Sequence, residues 1–433
     1  MKINTKELGF DFLKYGILVI PTLLPLSILL IIISGSISSY YSWKSFFKDK
    51  WHIPLFLSAI FMMASCFYNS FYSDLSIYSE YKNFFNWIGL ANWIPFLWLF
   101  WSLQPYLSNN KNRVICIKFL IIGTIPVIIM GFLQSFFDIH GPFIFLKGLI
   151  YWFQYKLEGD AGLSSIFANA NNAGAWFSVI LPFSLCFFIQ SKQNKNLKFF
   201  YLLNTILIVI SMVLTNSRAT WISTFLTFFI LTGLNKYYFI ILLSIFFTIF
   251  LTYVPLVPNY IQEFISSIIP EKIIRNFEMI DYKQPLSNFY RIQIWITTIN
   301  LILENPIFGW GAASFPILYK LKNNLYIYHS HNLPLELAFN YGIMSSLLIF
   351  IPLSYLTFKT YKKIFIENKY SSFFDKSWWV ATFAIIFLQT VDVQYYSARI
   401  SIIFWILIIG LKGYLNENIN SLLEEPISKG SIK

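Results

Sequence analysis

"VICIKFLIIGTIPVIIMGFLQSFF" (residues 114–137) carries a single charge, Lys118, in an otherwise uncharged, mostly apolar run. As a helix rising 1.5 Å per residue it would be about 36 Å long, enough to cross a hydrocarbon core of about 30 Å. Comparable runs recur at 8–33, 51–68, 84–103, 173–190, 198–214, 217–233, 238–257, 333–358, 378–391 and 399–411. The chain is 57% hydrophobic, 20% aromatic and 12% charged over 433 residues. A soluble fold of that length does not bury so much apolar surface. The sequence therefore reads as an all-α polytopic membrane protein, with about 11 or 12 transmembrane helices. One membrane domain covers 1–433, a large extracytoplasmic loop containing short helices is inserted at 258–332, and 414–433 form a polar cytoplasmic tail.

Lysines set the orientation. The connections "WKSFFKDK" (43–50), "SKQNKNLK" (191–198) and "KTYKKIFIENKYSSFFDK" (359–376) are basic and face the cytoplasm under the positive-inside rule. Residues 138–172 and 258–332 then lie outside. Lys2, Lys6 and Lys14 precede the first apolar run, which reads as a retained membrane segment rather than a signal peptide. Both the N-terminus and 43–50 want the inside, yet one run separates them. As a single helix 8–33 would be about 39 Å, too long for one crossing and too short for two. Pro21 and Pro25 offer a bent or re-entrant pair. Cys66, Cys116 and Cys186 fall in apolar stretches without metal-ligand spacing and read as core.

Within the outer loop, "SNFYRIQIWITTINLILENPIFGWG" (287–311) predicts an amphipathic helix. Ser287 and Asn288 are candidate caps, and Pro306, Gly309 and Gly311 close it with a tight turn. Arg291 and Trp295 share a face at i, i+4.

The chain has 27 lysines and only five arginines: Arg113, Arg218, Arg275, Arg291 and Arg399. Four of these fall outside or at the outer membrane edge, where the positive-inside rule gives no reason for them. The planar guanidinium binds phosphate or carboxylate bidentately, which lysine cannot copy. Arg218 and Arg291 are thus candidate anion ligands. Snorkelling to the interface is the competing reading for Arg218, and a solvated helix face that for Arg291. Asp392 and Arg399 read as a simple ion pair.

"YHSHNLPLELAFNYG" (328–342) places two of the four histidines at the mouth of an apolar helix. Asn332 reads as its cap and Pro334 falls in its first turn. The helix dipole there disfavours imidazolium, so His331 stays neutral and can accept a proton. His-x-His spacing also occurs in metal sites, and plain interfacial anchoring is the third reading. No Asp-x-Asp pair and no Gly-rich phosphate loop accompany these residues. A base with two forked cations, facing outward, suits a glycan carried on a lipid diphosphate. Such a donor already has its leaving group and needs mainly charge neutralisation.

The order "GLSSIFANANNAGAWF" (162–177), "LTNSRATW" (214–221), "YRIQIWITTINLILENPIFGWG" (290–311) and "HSHNLPLELAFNYGIMSS" (329–346) resembles the O-antigen ligase and polymerase superfamily. His331, Asn332 and Gly342 are similar to the ligase signature. Ser345 stands where that pattern carries Gly, Thr or Val, a departure toward the polymerases. The resemblance implies a metal-independent, inverting glycosyltransferase in the bacterial inner membrane with a periplasmic active site and no cofactor. Its donor would be an undecaprenyl-diphosphate-linked glycan, and its acceptor lipid A–core for a ligase or a growing glycan for a polymerase. Membrane lipids are the remaining partners, and no nucleic acid is expected. Carried onto this chain, the resemblance makes His331 the base and gives the diphosphate to Arg218 and Arg291. Asn332, Trp295, Asn169 and Asn172 line the substrate site, with helix capping favoured for the last two. A flippase for the same lipid-linked glycan is the alternative of another class. It would show repeated halves and midplane charges, whereas the charges here gather at one edge and in one loop.

Overall fold

The first apolar run folds as a hairpin. In the computed structural model, which describes residues 5–46, 48–72, 83–158, 161–232, 290–368 and 371–417, α1 (Thr5–Val19) and α2 (Leu24–Phe46) pack side by side. Pro21 lacks the N–H that would continue the first helix. The turn closes through Leu23 N donating to Val19 O at 2.9 Å and Ser27 Oγ donating to Gly16 O at 2.9 Å. The expected single run at 8–33 is therefore two helices. The hairpin brings Lys6 back over the Tyr41 ring near the end of α2, which removes the conflict between the two ends of the run.

The next elements are α3 (His52–Tyr72), α4 (Phe84–Leu90), α5 (Ile94–Ser102), α6 (Gln104–Leu107) and α7 (Asn110–Phe137). The run at 84–103 is thus not one helix, because Pro95 starts a new one within it, as Pro105 does just beyond. A two-stranded antiparallel ribbon follows, β1 (Phe143–Phe145) with β2 (Ile150–Trp152). Then come α8 (Ala170–Gln190), α9 (Lys195–Leu214) and α10 (Arg218–Thr232). Residues 233–289 lie outside the described residues, and with them the expected span 238–257, Arg275, and Ser287 and Asn288 as caps. The chain continues with α11 (Tyr290–Glu304), α12 (Phe315–Asn323), α13 (Leu333–Tyr341), α14 (Ile343–Tyr361), α15 (Phe373–Val391) and α16 (Ala398–Asn416). Helix α16 runs through 414 to Asn416, and 418–433 of the expected tail lie outside the described residues.

Seven of the described helices are long and apolar enough to cross a membrane, and the protein is a multi-pass membrane protein. All three cysteines are free and buried. At one end of the bundle, buried Arg113 pairs with Glu417 at 2.6 Å and faces Asp375 at 3.7 Å. There Lys412 also pairs with Asp49 at 3.0 Å, and Lys363 Nζ donates to Tyr414 O at 3.2 Å. These contacts gather the basic connections. At the other end Arg399 donates from Nε to Pro21 O (2.8 Å) and from Nη2 to Tyr151 O (3.2 Å). Trp152 Nε1 donates to Thr22 O at 2.9 Å beside it.

One interruption shapes the site. The expected span 333–358 breaks at Gly342, whose φ of 89° and ψ of 159° suit only glycine. The backbone of 306–311 docks into the break. Trp310 N donates to Phe339 O at 2.8 Å, Gly311 N to Asn340 O at 3.0 Å, and Ile343 N to Pro306 O at 2.9 Å. Groups that a membrane helix would otherwise leave unpaired are satisfied by this segment.

Candidate functional site

His331 sits immediately before the cap of α13 with a left-handed φ of 54°. Asn332 is that cap: its Oδ1 accepts from Leu335 N at 3.1 Å and its Nδ2 donates to Thr390 O at 2.9 Å. Pro334 occupies the first turn. A second clamp holds the loop from below. Buried Glu336 accepts from Ser330 N at 2.8 Å, and Ser330 Oγ donates to Asn332 O at 3.0 Å. The strained residue is therefore fixed on both sides.

The ring of His331 points its Nδ1 at Asp392 Oδ1, 2.8 Å away. Since the carboxylate can only accept, Nδ1 carries the proton and Nε2 is the basic atom. Asp392 lies just beyond the end of α15 and is almost fully buried. Its Oδ1 also accepts from Val393 N at 2.9 Å, and its Oδ2 from Asn171 Nδ2 at 2.8 Å. Burial pushes the Asp392 carboxyl upward, but the hydrogen bond and charge of His331 and the charge of His329 outweigh it and hold it below the usual carboxylate range. The network continues. Asn171 Oδ1 accepts from Ser217 Oγ at 2.9 Å, and Ser217 immediately precedes Arg218, the first residue of α10.

His329 flanks His331, their ring centroids 4.3 Å apart. Its Nδ1 accepts from His331 N at 3.3 Å, so its own proton sits on Nε2. Burial pushes the His329 imidazole down to about 4, helped by His331 and by Arg291, against the opposing pull of Asp392. That influence locates Arg291, in the first turn of α11, within electrostatic range of the histidines. Trp295, one turn along, keeps its Nε1 buried without a partner.

The remaining expected positions divide. Asn169 is the cap of α8, accepting from Asn172 N at 2.9 Å, which is the capping role favoured from sequence. Asn172 is buried in the first turn of that helix. The expected pairing of Asp392 with Arg399 does not occur. Asp392 belongs to His331, while Arg399 closes the α1–α2 turn. Asp392, Asn171 and Ser217 went unselected as site residues in the sequence. A signal existed for Asp392, an ionisable residue at the edge of an apolar helix.

This arrangement can hold a neutral imidazole with a carboxylate behind it and the Arg291 cation within electrostatic range of His329. Among the described residues, His329, His331 and Asp392 could also hold a metal ion, their ligand atoms lying within 4.8 Å of one another. Residues 203–350 match the family model described as O-antigen ligase. The match spans about a third of the chain, and over that stretch the protein is similar to the O-antigen ligase family. That similarity supports a membrane glycosyltransferase of the ligase or polymerase type. The match takes in Arg218, Arg291, His331 and Asn332, and it stops short of Asp392. No curated protein matches the chain.

Proposed function

We propose that this protein transfers a glycan from undecaprenyl diphosphate to a sugar hydroxyl, as an O-antigen ligase whose acceptor is lipid A–core. The observation that carries the reading is the His331–Asp392 dyad, backed through Asn171 by Ser217 at the foot of Arg218. His331 Nε2 takes the proton of the acceptor hydroxyl as the oxygen attacks the anomeric carbon from the face opposite the diphosphate. The bond from that carbon to the phosphate oxygen breaks, and the configuration inverts. Asp392 stabilises the imidazolium that forms and keeps the ring oriented. Arg218 and Arg291 neutralise the departing diphosphate, with Trp295 Nε1 a further donor on the same helix as Arg291.

The positive-inside rule assigns the basic end of the bundle to the cytoplasm of a bacterial inner membrane, which supports a periplasmic site. The reaction runs without a metal, because Arg291 already supplies positive charge beside the histidines and Nδ1 of His331 is engaged by Asp392. A polymerase would use the same steps on a second repeat unit, and Ser345 in the signature is the feature that favours it.

The test is His331→Ala beside His329→Ala in the native host deleted for the gene. Removing a general base lowers transfer by roughly 10²- to 10⁴-fold. With a ligase, His331→Ala leaves long glycans on the lipid carrier and bare lipid A–core; with a polymerase, only single repeats accumulate. Chelation by EDTA leaves wild-type transfer in isolated membranes unchanged. Normal transfer by His331→Ala at normal expression defeats the base assignment.

A further inference from the structure

A groove of about 490 Å³ begins directly behind the dyad. Pro334 and Thr390 form its head, Leu353 and Phe383 line its middle, and Phe358 and Trp379 line its far part. Thr390 is the residue whose carbonyl receives the Asn332 side chain, so the head of the groove and the wall of the site share a hydrogen bond. From Thr390 to Trp379 the groove follows α15 for about 16 Å, roughly half the ~30 Å thickness of a hydrocarbon core. Its walls are largely aromatic and aliphatic. Phe383 and Trp379 stack with their ring centroids 5.4 Å apart, and Trp379 Nε1 is tied to Thr357 O at 2.9 Å, so the indole offers no free donor to the groove.

Among the polar side chains of the lining (Ser354, Thr357, Tyr361, Gln389 and Thr390), one carries a buried atom without a partner. Gln389 is 2% exposed and lines the groove at its head. Its Oε1 accepts from Tyr395 N at 3.1 Å, which fixes which end of the amide is which. Its Nε2 is buried with no partner. A buried donor left unsatisfied is costly, and its presence beside an apolar slot points to a ligand that brings both an oxygen and a long hydrocarbon chain.

We propose that this groove receives the polyprenyl chain of the glycan donor, with Gln389 Nε2 donating to the phosphate joined to that chain. The inference rests on the lipid-linked donor of the proposed function. The largely apolar walls of the groove suit a hydrocarbon chain. Its head lies against the dyad, where the diphosphate must stand if the anomeric carbon is to face His331. Gln389 is then a specificity-determining residue: it selects a chain that ends in phosphate over the tails of bulk phospholipid.

The experiment uses the full chain in nanodiscs and a polyprenyl monophosphate bearing a diazirine near the end of its tail. After irradiation, the labelled peptides are read by mass spectrometry. Label is expected on α14 and α15 and is retained in His331→Ala, because binding does not require transfer. Ser354 lines the groove mouth and is exposed, so Ser354→Trp can block entry without disturbing the core, and labelling should fall by about tenfold. Gln389→Leu should lower labelling by the phosphate probe and leave labelling by the matching prenol unchanged. Even labelling over all lipid-facing helices, displacement by phosphatidylglycerol as efficient as by unlabelled probe, or indifference to Ser354→Trp each overturns the proposal. The two readings separate cleanly. His331-dependent transfer without groove label defeats the groove alone, whereas groove label with undiminished transfer in His331→Ala defeats the base and leaves the groove standing.

Discussion

His331 could be named from sequence because histidine is rare here and stands at a helix mouth; its partner could not. Asp392 is 61 residues away, and the sequence offered Arg399 as a nearer and more obvious mate. The structure favours the histidine because Arg399 is held by two backbone carbonyls elsewhere, Pro21 O in the α1–α2 turn and Tyr151 O in β2. Asp392→Asn keeps the shape but can turn the wrong edge to Nδ1 and stabilises no imidazolium. Transfer should fall by roughly 10- to 10³-fold with little change in thermal stability, as measured in membranes and by melting in detergent. An Asn variant that transfers normally removes Asp392 from the mechanism.

His329 belongs to the same scale but to a different observable. Its folded pKa of about 4 lies below the ordinary histidine value of 6.5, so between those values the unfolded chain binds more protons. Its contribution to stability is complete above pH 6.5 and is lost as pH falls toward 4. The Asp392 contribution, also from a lowered pKa, is lost only below the ordinary carboxylate range, so the two windows are distinct. Moving from pH 7 to pH 5 should lower the melting temperature of the wild type more than that of His329→Gln. Equal losses would mean that protonation of His329 costs nothing in this setting.

At the scale of elements, the long apolar helices were legible and the broken ones were not. Hydropathy marked 84–103 and 333–358 as single spans, since it registers polarity and is blind to a change of direction. Pro95 divides the first, and Gly342 divides the second. The glycines Gly309 and Gly311 did announce the tight turn that docks there, with φ of 64° and 86°. Gly342→Ala should cost on the order of 3 kcal/mol, since its backbone conformation is closed to alanine and the added methyl would strike the Ile307 carbonyl. Gly148→Ala is the control: its φ is 94°, yet nothing lies within 4 Å of the added carbon. If both variants melt alike, docking of 306–311 contributes nothing to stability.

At the scale of the whole molecule, the two ends of the bundle divide the labour. One gathers the lysine-rich connections around Arg113, and the other gathers the site. Lysine distribution foretold this division, but not that the site would be assembled from α8, α10, α13 and α15. Nothing in one sequence registers that residues 171, 217, 331 and 392 are neighbours. The α1–α2 turn has a similar dependence over a longer reach. Pro21 presents a carbonyl at the membrane edge, and the guanidinium that satisfies it is 378 residues further along. During synthesis, that hairpin enters the bilayer with its tip unfinished and must wait for α16 to be made before this polar contact can close, so a chain stalled before α16 would be marked by an open seam at a turn made long before.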